Sequence, residues 1–359
     1  MESRTTEAGR PARPTRRSLL VAGGGAVLAA FTGAGYLAGK AQYQESEDEK
    51  DFGSMAGEFD IAHGEQFLPP TSLQNKTGPQ SFAFDDQNRF LYTLQIVQGG
   101  IELPGEDEVA STAERRKAGD MCVTRLDYSG KNRGHMYLSG FGHGISFGVE
   151  PGKRRTHLWV EGEADEKSGY GRTVTRVPFE DGAVLYSSDP DIEHQEPLPG
   201  AAVTHPALDL ERERVLLSFK EGDEHRYAVY QMEKFRKGSH GPLYELADVW
   251  QRQGEFFQGC ALYGDYVYQL TGSPYTDDEG ENPPSGGGNT YVAAIDLRTG
   301  RPAGRQKVTV APDLDFREPE GIAISVSDGK PSLCVGFSVK SKDRRKLAVY
   351  RFTPPAARS

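Results

Sequence analysis

Five segments of the chain share one pattern: a polar residue, a small residue or proline, then alternating apolar and polar positions broken by a short turn. They begin at Gln80 (QSFAFDDQNRFLYTL), His143 (HGISFGVEPGKRRTHLWV), His205 (HPALDLERERVLLSF), Gln258 (QGCALYGDYVYQL) and Glu320 (EGIAISVSDGKPSLCVGF), spaced 63, 62, 53 and 62 residues apart. Period-two alternation on both sides of a turn predicts a β-hairpin, because successive side chains of a strand point to opposite faces. A third strand follows each hairpin, at 121–130, 172–182, 227–235, 291–300 and 347–354. Most units continue into a fourth, at 135–138, 183–188 and 305–310. Five units of four strands, each about sixty residues long, predict an all-β five-bladed β-propeller. The last unit runs out of chain after its third strand, while the extended segment 58–68 has no unit of its own. That N-terminal strand is therefore expected to close the ring. No amphipathic helix of normal length is predicted in this region. A two-sheet sandwich is the competing architecture, but it gives no reason for five equivalent polar positions.

The N-terminus follows another pattern. A basic stretch ends in Arg16 and Arg17, and an apolar run from Leu19 to about Ala38 is diluted by Gly23, Gly24, Gly25, Gly33 and Gly35. The run TRRSLLV is similar to the twin-arginine export consensus, so residues 1–41 are expected to be an export signal read by the twin-arginine machinery. A lone membrane anchor is the alternative, and the glycines make it a poor span. Residues 42–57 (QYQESEDEKDFGSMAG) read as a flexible linker, and 58–359 as a single propeller domain. The product is expected to be secreted, cell-wall associated and monomeric, with no stable membrane span after cleavage.

Charge then changes the picture of partners. The chain carries a formal −10, residues 1–41 contribute +4, and the remainder is therefore about −14. That balance argues against nucleic acid. Three cysteines, Cys122, Cys260 and Cys334, sit in apolar strand-like runs with no Cys-x-x-Cys spacing, and read as buried free thiols.

In a propeller the first strand of each blade lines the central channel, so Gln80, His143, His205, Gln258 and Glu320 are expected to form a ring at one mouth. The small residues after them (Ser81, Gly144, Gly259, Gly321) would let backbones crowd at the axis. The long connections 97–120, 161–171 and 272–290 fall on this same mouth, which marks it as the binding face. Gln95, Glu161, Lys220 and Gln269, at the ends of second strands, join the candidate ligand-binding set, with Tyr170 and Tyr275 as aromatic platforms for a sugar. Trp159 reads as packing between blades. Two histidines and a carboxylate (His143, His205, Glu320) could also hold a divalent metal, or serve as catalytic acid and base. The third reading is a passive polar channel satisfied by water.

The segments 119–150, 257–272 and 318–324 (GDMCVTRLDYSG…, FQGCALYGDYVYQLTG and EPEGIAI) resemble a propeller family of Gram-positive bacteria and their phages. It comprises the receptor-binding propeller of certain staphylococcal tailed phages and teichoic acid biosynthesis protein C-like proteins. The resemblance spans about 75–353 and implies a five-bladed propeller with a wall-glycopolymer or sugar ligand. Phage members use the propeller to recognise host wall teichoic acid. The phage stem and tail-attachment regions have no counterpart in this sequence, so adsorption itself does not carry over. Teichoic acids are polyanions, and a body of about −14 repels them at long range unless basic patches act locally. Two functions follow as expectations: a secreted β-propeller recognising a glycan or teichoic-acid-like glycopolymer at the channel mouth, or a metal-assisted glycan or phosphodiester hydrolase or lyase.

Overall fold

The computed structural model describes residues 55–247, 255–274 and 289–355. The expected export signal, most of the linker, Tyr275 and the acidic run 276–281 lie outside them.

Strands β1 (Met55–Ala56) and β2 (Phe59–Asp60) form a small hairpin, followed by β3 (Gly64–Ser72). The first blade is built from β4 (Pro79–Asp85), β5 (Phe90–Ile96), β6 (Met121–Asp127) and β7 (Asn132–Ser139), with helix α1 (Thr112–Ala118) between β5 and β6. The second contains β8 (Gly148–Glu150), β9 (His157–Gly162) and β10 (Thr173–Pro178). After it come β11 (Val184–Tyr186) and β12 (His194–Gln195). Blade three runs through β13 (Ala202–Asp209), β14 (Arg214–Glu221) and β15 (Glu224–Gln231), then helix α2 (Met232–Arg236) and β16 (Tyr244–Leu246). Blade four holds β17 (Phe257–Tyr263), β18 (Tyr266–Thr271), β19 (Tyr291–Asp296) and β20 (Pro302–Lys307). Blade five holds β21 (Glu318–Ser327), β22 (Lys330–Ser341) and β23 (Arg344–Phe352), and its fourth strand is β3. The chain is thus an all-β five-bladed propeller of antiparallel sheets. The ring is closed by the N-terminal strand, in a register that sets Gly64 opposite Phe352 and Thr71 opposite Leu347.

Four details depart from the expected pattern. The closing strand is Gly64–Ser72 rather than 58–68; strand β1 starts at Met55, inside the expected linker, and Ala56 and Phe59 are buried beside β18 and β19. Segment 183–188 is not the fourth strand of blade two. It crosses to blade one and pairs in parallel with β7, Val184 against Tyr137 and Tyr186 against Ser139, while His194–Gln195 takes the outer position in blade two. The turn before it is tied to blade one: Asp181 accepts the His135 amide at 2.8 Å, and Gly182 N–H donates to His135 O. That addition covers an edge whose backbone groups would otherwise face solvent unpaired. Third, strand 227–235 stops at Gln231, which caps α2 by accepting from Lys234 N, and Met232 and Phe235 turn onto one buried face. Finally, loop 97–120 contains α1, opened by a capping box of Ser111 and Glu114 and ended by Gly119 in the left-handed region.

The core lies between blades, not within one centre. Phe82, Phe84, Leu91 and Leu347 pack blades five and one; Leu94, Val123, Phe147 and Val160 pack one and two; Trp159, Val215, Leu217 and Phe235 pack two and three. Each such side chain contributes about 1.5–3 kcal/mol by leaving water. The three cysteines are buried and free.

The small residues at the strand starts do bring backbones together on the axis. Ser81 donates to Gly144 O, and Ser146 Oγ accepts from Cys260 N at 2.9 Å, a bond that joins blade two to blade four across the centre. A Cβ on Gly321 (φ +91°) would stand 2.7 Å from Ser81 Cα, so glycine is required there.

Candidate functional site: the loop-lined mouth

The five leading residues occupy one level of the ring. Gln80, Gln258 and Glu320 fall where pairing shifts in β4, β17 and β21, His205 ends the same kind of shift in β13, and His143 precedes β8. A bulge re-aims a side chain out of the pleat, which is how residues of a sheet edge come to face the axis.

Glu161, from β9, organises one side. It is fully buried, and its Oε1 accepts from Gly144 N at 2.6 Å, His143 N at 3.2 Å and His205 Nδ1 at 3.1 Å; Oε2 accepts from Gly171 N at 2.7 Å. Gly142 and Gly171 press against this side chain so closely that a Cβ on Gly142 would collide with its carboxylate and one on Gly171 with its Cβ. Burial alone would raise its pKa, but His205 and the backbone N–H groups override burial and lower it. An ionised carboxylate only accepts, so His205 Nδ1 is the donor; in the neutral ring Nε2 then carries the lone pair, and it has no protein partner among the described residues.

Aromatic rings extend from this centre. Tyr170 stacks on His143 with centroids 3.9 Å apart and meets His205 edge-on at 6.0 Å; Phe257 lies 6.2 Å from His205 and 4.8 Å from His225. His143 Nε2 bonds the backbone O of Arg116 at 3.1 Å, which ties α1 to the mouth. Burial drives the His143 pKa down to about 4 and that of His225 to about 3, so both rings are neutral at pH 7, and it pushes Tyr170 up to about 12.

The opposite side is acidic. Burial raises the Glu318 pKa to about 7, and burial plus the Glu318 charge raises Glu320 well above its ordinary value; Arg345 and Arg116 pull both down only in part. Arg345 lies over the Phe316 ring at 3.4 Å. Arg116 acts on His143 and Tyr170 as well as on this acid pair, so it stands between the two sides. Its guanidinium, half-buried, has no hydrogen-bond or ion-pair partner among the described residues.

The remaining candidates divide by burial. Gln95 is spent on the fold: it accepts from Asn75 N and donates to Asn75 O and Thr77 O, and is fully buried. Gln269 accepts from Tyr227 OH at 2.8 Å and is likewise buried, and Gln258 donates to Gly272 O. Lys220 is buried, which lowers its pKa. Gln80 is half-exposed and donates to its neighbour Pro79 O. Trp159 packs on Phe235 and donates to Glu150, between blades. Among the described residues no three His, Cys, Asp or Glu side chains converge as metal ligands. His143 and His205 meet at Glu161, His143 Nε2 is spent on a carbonyl, and Glu320 neighbours Glu318; this trio does not fit a metal.

Two residues of the mouth were not among the candidates read from the sequence, where His225 reads as an ordinary surface or hairpin histidine. Arg116 sits on a helix that the run Ser111-Thr-Ala-Glu114 signals as a capping box, so that signal was legible. His225 has no such signal; it reaches Phe257 and Ser218 Oγ (2.6 Å) only through the pairing of β14 with β15.

A five-bladed propeller whose loops build a polar, aromatic mouth over one end of its axis is the architecture of a binding platform. The chain belongs to the family described as the phage five-bladed β-propeller receptor-binding platform domain, whose model matches residues 79–351. It is 23% identical over 292 residues to the major teichoic acid biosynthesis protein C of Bacillus subtilis (strain 168), covering 78% of this chain and 60% of that protein. The tail fiber of Staphylococcus aureus phage P68 shares its fold with a TM-score of 0.63 at 17% identity, over 82% of this chain and 53% of that one. The chain thus spans little more than half the length of each.

Proposed function

We propose that the protein is an exported, envelope-associated recognition module that binds a glycan or teichoic-acid-like glycopolymer at the loop-lined mouth. One observation carries this reading. The partly buried Tyr170 ring and the Arg116 guanidinium, which has no hydrogen-bond or ion-pair partner among the described residues, share the mouth beside a buried polar layer. An aromatic face stacks on a sugar ring, and a planar guanidinium hydrogen-bonds hydroxyl or phosphate oxygens. Arg116 also supplies the local positive charge that an acidic protein needs to hold an anionic polymer. The receptor-binding family and the teichoic-acid-named relative support the same ligand class. Export by the twin-arginine route, on the sequence of residues 1–41, completes the proposal.

The test is sedimentation with purified Gram-positive wall fractions. Arg116→Ala and Tyr170→Ala should each weaken wall binding by roughly tenfold, the loss of one charge-assisted or stacking contact. Unchanged binding by both folded variants would remove the mouth as the site.

A further inference from the structure

The other end of the axis holds a cavity of about 290 Å³, below the Ser146–Cys260 crossing and on the side of the short hairpin turns. All five inner strands contribute to it. Its walls are apolar, with Phe147, Leu208, Leu262 and Ile324 among them, and its rim carries Leu210, 42% exposed. A cavity of roughly 150 Å³ takes up benzene, so this one has room for a body about twice that size.

The charged groups at its edge all carry one sign, beside the neutral Gln87 and Tyr263. Asp86, Asp209 and Glu211 line it, and no Lys, Arg or His does. Asp209 is neutralised by Arg214 at 2.5 Å. Asp86 accepts from Tyr128 OH at 2.6 Å, Ser325 Oγ at 2.6 Å and Val326 N at 2.7 Å; these donors are neutral, so its charge has no cationic partner among the described residues. Glu211 is exposed and takes the Tyr263 hydroxyl as its hydrogen-bond partner. An apolar chamber under two uncompensated carboxylates selects against anions. It favours an apolar body bearing positive charge, because the body leaves water while the head stays at the rim.

We propose that this cavity is a second binding site, for a small organic cation whose apolar body enters the chamber and whose ammonium rests against Asp86 and Glu211. The site is independent of the mouth and of what binds there.

Titration calorimetry and ligand-observed NMR with three probes of equal chain length test it: n-hexylammonium, hexanol and hexanoate. Hexylammonium should bind the wild-type protein saturably at one site, hexanol at least about tenfold more weakly, and hexanoate not at all. Glu211→Gln, a change at an exposed side chain, should weaken hexylammonium several-fold and leave hexanol unchanged. Ala207→Leu should abolish binding of both while wall binding persists. No saturable hexylammonium binding, or equal binding of the three probes, overturns the proposal. So does a folded Ala207→Leu protein that binds like wild type. If Ala207→Leu does not fold, the probe comparison and Glu211→Gln still decide.

Discussion

Two buried carboxylate centres stand at the same mouth and resolve burial in opposite ways. Glu161 is held ionised by three backbone N–H groups and His205, and its pKa is lowered. Glu318 and Glu320 have each other as neighbours and two arginines that compensate only in part, and their pKa values are raised. Burial is common to both; the difference is the supply of donors aimed at the charge. Glu161 acts as the rivet of the mouth, joining the turns at 142–144 and 169–171 to the inner strand of blade three. The acid pair is instead a protonatable group beside Arg116.

The largest effect that would break this contrast is at Glu161. Glu161→Ala strands three amide donors and His205, and should cost about 3–5 kcal/mol in urea unfolding, the range for removing one partner of a buried ion pair. A loss below about 1 kcal/mol would show that the loops do not depend on it.

The pH dependence sharpens the contrast next. Glu318 titrates near 7 when folded and near its ordinary 4.5 when unfolded, so between these values the folded state holds the extra proton. Its contribution to stability is therefore lost as pH rises through that window. Glu318→Gln should flatten the decline between pH 5 and about 8 in thermal melts, whereas an unchanged slope would place the titration elsewhere. His143 and His225 act with the opposite sign. Their folded values of about 4 and 3 lie below the ordinary 6.5, so the unfolded chain takes up protons first as pH falls. Stability should fall as pH drops below 6.5, and His225→Phe should remove part of that loss.

Five repeated segments with period-two alternation were sufficient for the five blades, and the polar start of each, followed by a small residue or proline, falls at one level of the ring. These are local features: a strand's two faces and a glycine's freedom are properties of a few adjacent residues. The capping box at Ser111 was equally local, though it lay within a stretch read as loop. What sequence could not decide was which polar residues are spent on the fold. Gln95 and Gln269 occupy second-strand ends like Glu161, yet their amides are spent on the Asn75–Thr77 segment and on Tyr227, partners 18 to 42 residues away. The departure of 183–188 to blade one goes with Asp181 meeting His135, 46 residues earlier. The ionisation of Glu161 and the protonation of Glu318 and Glu320 depend in the same way on burial and on groups that folding brings beside them, and His143 and His225 stay neutral because folding buries them. Local pattern determined the blades and the axis of this protein; contacts between distant segments decided the chemistry of its mouth, because a buried polar group is defined by partners that only folding brings to it.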